Sequence, residues 1–312
     1  HGQRTSVTDS LGNTTAFTYD GNGYLAAVTN ALGHTQQSFT YDADGRVATD
    51  TDSRGYTRRY VYDALDRLIQ ITYPDKTART FVWSRLDLAS VTDRQGHTTT
   101  YTYDANHHRI AAIDPLGHTT TYGYYPNGEL QTLTDPNGNV TTWMRDLEGR
   151  VIAKTFADGS GKTYAYDNSS RPARVTDALG QTTVYGYDRA DLLTSVQYQQ
   201  AVNPTAAAFY AYDAYYPRMV GMTDGLGATS FSYVPVGQPG AFERAAEAGP
   251  FGTNDTVRYG YDVLGRVIQR TTDVAVDYAY DPLGRLSQQS NPLGTFSYSY
   301  LGDTAQLAWR LL

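Results

Sequence analysis

Few stretches of this 312-residue chain combine residue types that do chemistry at a useful spacing. Gly159-Ser160-Gly161-Lys162-Thr163 looks like the end of a phosphate-binding loop. The full motif needs a glycine at position 156, which is Phe156, and the residues after it read as a strand instead of the helix that would hold a phosphate. His34, His97 and His118 each sit in Gly-His-Thr, an arrangement that would suit a row of metal ligands. The equivalent position elsewhere holds Asn13, Tyr56, Asn139 or Gln181, so it reads as a permissive turn position. His107-His108 lies in another turn. Asp42-Ala43-Asp44-Gly45 and Asp20-Gly21-Asn22-Gly23 resemble calcium loops but lack the glutamate at the twelfth position, where Ser53 and Ala31 stand. There is no cysteine, which excludes disulfides, thiolate metal sites and a thiol nucleophile. No Gly-x-Ser-x-Gly elbow occurs, and no pair of carboxylates stands out as glycosidase-like. These residues predict no catalytic side chain, no cofactor and no bound metal.

The same residues make sense as parts of a repeat. Asp20, Asp42, Asp63, Asp104, Asp167, Asp188, Asp213, Asp262 and Asp281 each follow a tyrosine, spaced 19 to 25 residues apart or about two or three times that where a copy is degenerate. A second aromatic precedes that tyrosine by two in Tyr60/Tyr62, Tyr164/Tyr166, Tyr185/Tyr187 and Tyr259/Tyr261. In Thr98–Asp104, Thr99, Tyr101 and Tyr103 fall on one face of a strand, and the intervening threonines on the other. Asp bonds its own backbone in a turn, and the glycine that follows accepts a left-handed conformation. One unit is therefore a strand ending in Tyr-x-Tyr-Asp, a turn often closing in Gly-Arg, a second strand, and a turn of the form Asp-x-x-Gly-x-Thr. The second strands alternate less cleanly and predict bulges or cover on both faces. A fixed period of this length means a repeat array.

The fold class is all-β: about fourteen tandem β-hairpins across residues 1–312, a single repeat segment, with insertions near 199–209 and 235–255. Ala241–Ala248 within the second insertion is expected to form one or two helical turns. The tyrosine rings are expected to pack ring on ring between neighbouring hairpins. About 28 strands at roughly 4.8 Å make a ribbon about 130 Å long and roughly 23 Å wide, which strand twist should curl around a space about 40 Å across. The net charge of −7 and pI near 5.3 exclude a general nucleic-acid binder. No apolar run approaches a helical membrane span. His1 in place of Met, and the ending at Leu312, suggest a piece of a longer polypeptide.

Tyr280-Asp-Pro-Leu-Gly-Arg-Leu286, Tyr261-Asp-Val-Leu-Gly-Arg-Val267 and Tyr41-Asp-Ala-Asp-Gly-Arg-Val47 resemble the YD repeats of the Rhs family, which includes bacterial polymorphic toxins, toxin-complex C components and teneurins. The resemblance implies a hairpin strip coiled into a hollow shell that, in bacterial members, encloses a C-terminal toxin domain. It implies as partners that toxin domain, the rest of the same chain, and secretion-system spike or chaperone proteins. It also implies export as secretion-system cargo, with a type VI route among the expectations. Family members often close the shell with a self-cleaving Asp-Pro-x-Gly-Leu segment. Asp281-Pro282-Leu283-Gly284-Arg285 and Asp114-Pro115-Leu116-Gly117-His118 lack the leucine and the downstream glycines, so that segment is not expected here. The alternative is a cell-surface YD module that binds glycans or a partner protein through exposed tyrosines.

Overall fold

The computed structural model describes residues 2–203, 205–252 and 255–311. Pro204, Thr253 and Asn254, in the two expected insertions, lie outside them, as do His1 and Leu312. The described residues form 29 strands, from β1 (Ser6–Thr8) to β29 (Leu307–Leu311), and no α-helix. The chain divides into two compact units, His1–Ala78 with Thr229–Leu312, and Arg79–Ala228. In the first unit β1 to β7 (Leu68–Thr72) pair antiparallel in chain order, as do β23 (Arg244–Ala248) to β29. In the second, β9 (Asp87–Thr92) to β21 (Met219–Asp224) do the same. The expected all-β run of tandem hairpins is what forms.

Nearly all the expected bulges sit at one place in the hairpin, the shift at Val28/Thr29 being an exception. In the hairpin of β2 (Thr14–Tyr19) and β3 (Leu25–Thr29), Phe17 faces Val28 and Thr18 faces Ala27, but Tyr19 faces Leu25. Ala26 is the extra residue. The same shift falls just before Tyr41, Tyr62, Tyr103, Tyr166, Tyr187 and Tyr280. A bulge adds local twist and re-aims the residues beside it. Here it recurs where the second tyrosine of each Tyr-x-Tyr meets the first residue of the returning strand.

The faces divide by size. One carries both aromatics of each hairpin and, opposite the first, residues such as Val28, Ile71, Leu133 and Val175. The other carries Thr40 against Thr49, Thr102 against Ala111 and Gly123 against Thr132. The strands of the described residues all belong to one sheet. Among the described residues Val196 is the one buried hydrophobic side chain. Stability in such an array comes from contacts between neighbours along the chain, not from a shared core.

One expectation fails. Residues 244–248 are strand β23, with Tyr233 facing Arg244 and Ser230 facing Ala248. Alanine's helix preference is worth only a few tenths of a kcal/mol per residue against its neighbours in the propensity scale. A strand in register with both neighbours gains a full ladder on each side. The turn before it is tight, with Ala241 N–H donating to Gln238 O and Phe242 held at a positive φ of 72°.

Candidate functional site: the tyrosine–aspartate turn ladder

Each residue of the Tyr-Asp-x-x-Gly-Arg turn has a distinct task. In Asp42–Arg46 the backbone closes with Asp42 N–H donating to Arg46 O (2.9 Å) and Gly45 N–H to Asp42 O (3.1 Å). Asp42 Oδ1 accepts from the amides of Asp44 (3.0 Å) and Arg46 (2.9 Å), and Oδ2 accepts from Arg46 Nε (2.8 Å). The fourth position needs a left-handed residue: Gly45 has φ 81°, and Asp66, His107 and Ser170 take that conformation in other copies. The same carboxylate device builds the turns on the opposite edge. Asp93, Asp114, Asp135 and Asp177 each accept from two amides of their own turn.

The turn also clasps its successor. The Arg46 guanidinium lies 5.0 Å from the ring centre of Tyr62, the tyrosine of the next such turn, and Tyr62 OH donates back to Val47 O (3.1 Å). The pattern repeats with Arg150 on Tyr166 and Tyr166 OH on Val151 O, with Arg171 on Tyr187 and Tyr187 OH on Pro172 O, and with Arg266 on Tyr280 and Tyr280 OH on Val267 O. This replaces the expected ring-on-ring ladder. Equivalent strands of successive hairpins are two strand spacings apart, roughly 10 Å, which is beyond ring contact. An arginine bridges that gap and gains a cation–π contact. Ring stacking does occur at Tyr24–Tyr41 (4.8 Å) and His108–Tyr124 (4.9 Å), where Tyr24 and His108 replace the arginine.

The electrostatics favour holding over reacting. Hydrogen bonds from Arg67 and Arg171 keep the Asp63 and Asp167 carboxyls below the ordinary carboxylate range. Burial pushes the hydroxyls of Tyr62, Tyr187 and Tyr280 upward, so they remain protonated donors. An ionised acceptor engaged by its own turn and a neutral donor engaged by the preceding hairpin lack the poise that general acid–base work requires.

The sequence candidates are dispersed. Gly159 closes a turn onto Phe156 O, and Gly161 opens strand β16 (Gly161–Tyr166), so the phosphate-loop look-alike is an inter-hairpin turn. His97 and His118 bond the aspartates of their own turns, Asp93 (3.1 Å) and Asp114 (2.9 Å), and His107 bonds Asp87 (2.8 Å). Among the described residues no three metal-ligating side chains gather. Asp42 and Asp20 direct their Oδ1 atoms at their own turn amides.

Two features were missed. Asp50 is 7% exposed, in a position that Val28 and Ile71 fill in neighbouring hairpins. Arg58 makes a two-point ion pair with it, and Tyr60 OH donates to Oδ1 (3.1 Å). Burial and Asp50 push the Tyr60 hydroxyl up to about 12. Aligning the repeats would have exposed this carboxylate among aliphatics, with an arginine one strand away. Asp303 is the other. It accepts from Asn30 Nδ2 (2.6 Å) and lies 3.1 Å from His34 Nδ1. No local pattern announces a contact across 273 residues.

A family model described as RHS Repeat matches residues 1–35, 41–78, 83–120, 103–140, 124–160, 145–182 and 166–200. No curated protein matches the chain significantly. Solved structures do. One described as TcdB2-TccC3-TEV superposes with a TM-score of 0.71 at 15% identity, over 95% of this chain and 20% of that one. TcdB2-TccC3 without its hypervariable C-terminal region gives 0.60 at 14% identity, over 97% and 19%, and TcdB2-TccC3 itself gives 0.59 at 14%, over 97% and 20%. The chain thus has the fold of part of those molecules and spans about a fifth of their length. With the family model covering well over half of its residues, and the repeating turn explaining why, the chain belongs to the RHS repeat family.

Proposed function

We propose that the chain is a segment of an encapsulating shell, whose work is to surround a toxin domain carried elsewhere in the same polypeptide and to travel with it during export. The observation that carries this reading is the clasped ladder. Hairpin after hairpin is tied to the next by backbone pairing and a tyrosine–carbonyl bond, with an arginine bridge or a stacked ring added in many copies, and the aspartates and tyrosines of those turns are consumed in doing so. A wall needs that continuity, and a catalyst would need some of those groups free. The fold shared with TcdB2-TccC3 structures supports the same reading. The role is structural, and delivery by a secretion-system spike or chaperone would act on the whole polypeptide.

The test is cryo-electron microscopy of the intact polypeptide together with limited proteolysis. Density enclosed by the repeat wall, and a C-terminal domain resistant to protease until the wall is unfolded, are expected. An intact polypeptide whose interior is filled by the wall's own side chains would overturn the proposal. A second reading, a surface recognition module, draws on the groove of about 570 Å³ beside Tyr210, Tyr215 and Tyr216, where Tyr215 is 89% exposed. Glycan binding lost on Tyr215→Ala would favour it.

A further inference from the structure

In the first unit the turns of early hairpins meet the tyrosine–aspartate turns of late ones. A cavity of about 380 Å³ has Val7, Asp9, Asn13 and Thr15 on one side and Pro282 and Leu283 on the other. One repeat further on, Asn30 and His34 hold Asp303. The offset is 273 residues for Asn30 and Asp303, and Asp9 lies the same distance from Pro282. Thus these two successive turns, at Asp9 and Asn30, each receive the tip of a later turn at the same separation along the chain.

A second cavity, of about 290 Å³, is lined by Asp50, Asp52, Tyr56 and Arg58, with Arg54 at its rim. These four positions are 43 residues beyond Val7, Asp9, Asn13 and Thr15, one for one. The cavity is therefore the same socket two repeats later. Its described lining comes entirely from residues 37–73, with no opposing turn. Its chemistry differs from the first: where Val7 and Thr15 stand, it has the Asp50–Arg58 pair. Arg54 is paired with Asp52 and still half exposed, with guanidinium donors to spare.

We propose that this edge is a docking socket for the tyrosine–aspartate turn of a further repeat in the same polypeptide, one with a carboxylate at its tip. Continuity with the observed contacts sets the kind of occupant. The donors set its charge: Asp303 is met by Asn30 and His34, and in the second socket Tyr56 stands where His34 does while the Arg54 guanidinium covers the outer oxygen of Asp52, which stands where Asn30 does. The proposal does not depend on what the hairpin wall encloses.

The test appends one copy of residues 30–57, which begins with an inter-hairpin turn and whose own turn tip carries Asp44, after Leu312 of the full chain. Amide exchange over residues 53–58 should slow on the order of tenfold relative to the unextended chain. The slowing should vanish with Arg54→Gln, an exposed change that leaves the fold intact, and with Asp44→Asn made in the appended copy alone. Unchanged exchange would overturn the proposal, as would slowing that survives both substitutions. Slowing that grows with protein concentration would overturn it too, since the occupant would then be a second copy of the chain.

Discussion

At the residue scale, the tyrosine of each tyrosine–aspartate turn does two jobs, and they can be separated. Tyr280→Phe removes the hydroxyl that donates to Val267 O at 2.8 Å and keeps the ring beneath Arg266. The loss should be about 1 kcal/mol, the net worth of one such bond, read as a shift in a urea midpoint with unchanged slope. The aspartates give a pH signature. Asp63 and Asp167 are held down first by side-chain bonds from their arginines, Asp135 by that from Asn139, and Asp104 by the amide of His108, all from an ordinary value of 3.8. A depressed carboxyl contributes stability that is present above its unfolded value and lost as pH falls through the folded one. Thermal midpoints should therefore be level from pH 8 to about 5 and drop once pH falls below about 4. Tyrosine works in the opposite sense. A hydroxyl pushed up, as in Tyr60 to about 12, contributes stability that is present below 10 and lost as pH rises through the folded value. A scan that stayed level below pH 3 would remove the carboxylate turns as a source of stability.

At the element scale, much of the molecule can be read from the repeat. Strand positions, both turn types and the two-faced alternation follow from Tyr-x-Tyr-Asp and Asp-x-x-Gly recurring at one interval, because each hairpin is closed by its own turn. The bulge was legible only as a poor alternation in the second strands. Its place depends on the tyrosine meeting the returning strand, a pairing that appears only when the register is known. Residues 241–248 were misread for a related reason: an alanine-rich run has no strong local preference, and its neighbours decide. The phosphate-loop look-alike gives a direct test of the element reading. A Cβ on Gly161 would collide with the carbonyl oxygen of Lys154 across the ladder and press on Thr155 Cα. Gly161→Ala should destabilise by about 1–3 kcal/mol, as overpacking against rigid backbone does. Equilibrium dialysis with a nucleoside triphosphate distinguishes the two readings, since a hairpin turn predicts no affinity to lose.

At the scale of the whole molecule, most contacts are between hairpins adjacent in sequence, and a chain built that way has little to fix its distant parts together. The first unit supplies such a fixture. Asn30, 4% exposed, accepts at Oδ1 from the amides of Leu32 and His34 in its own turn and donates from Nδ2 to Asp303. Its local half needs only the turn, and its other half needs a residue 273 positions away. Asp303 is in turn held below its ordinary range, first by the bond from His34 and also by Asn30. Truncating it leaves a buried amide donor without its acceptor, which costs about 1–3 kcal/mol. The closing loop is so long that its entropy changes little with each added repeat, since doubling a loop adds only about 0.6 kcal/mol. The contact is therefore decided by its own geometry and not by chain length. Asp303→Ala should accelerate amide exchange in residues 30–36 and 301–306 together, while residues 98–124 keep the exchange they had. Coupled loss at both ends, with no change in the second unit, identifies a closure made by side chains. Acceleration confined to residues 301–306 would mean that the early turns are held by their own hairpins alone.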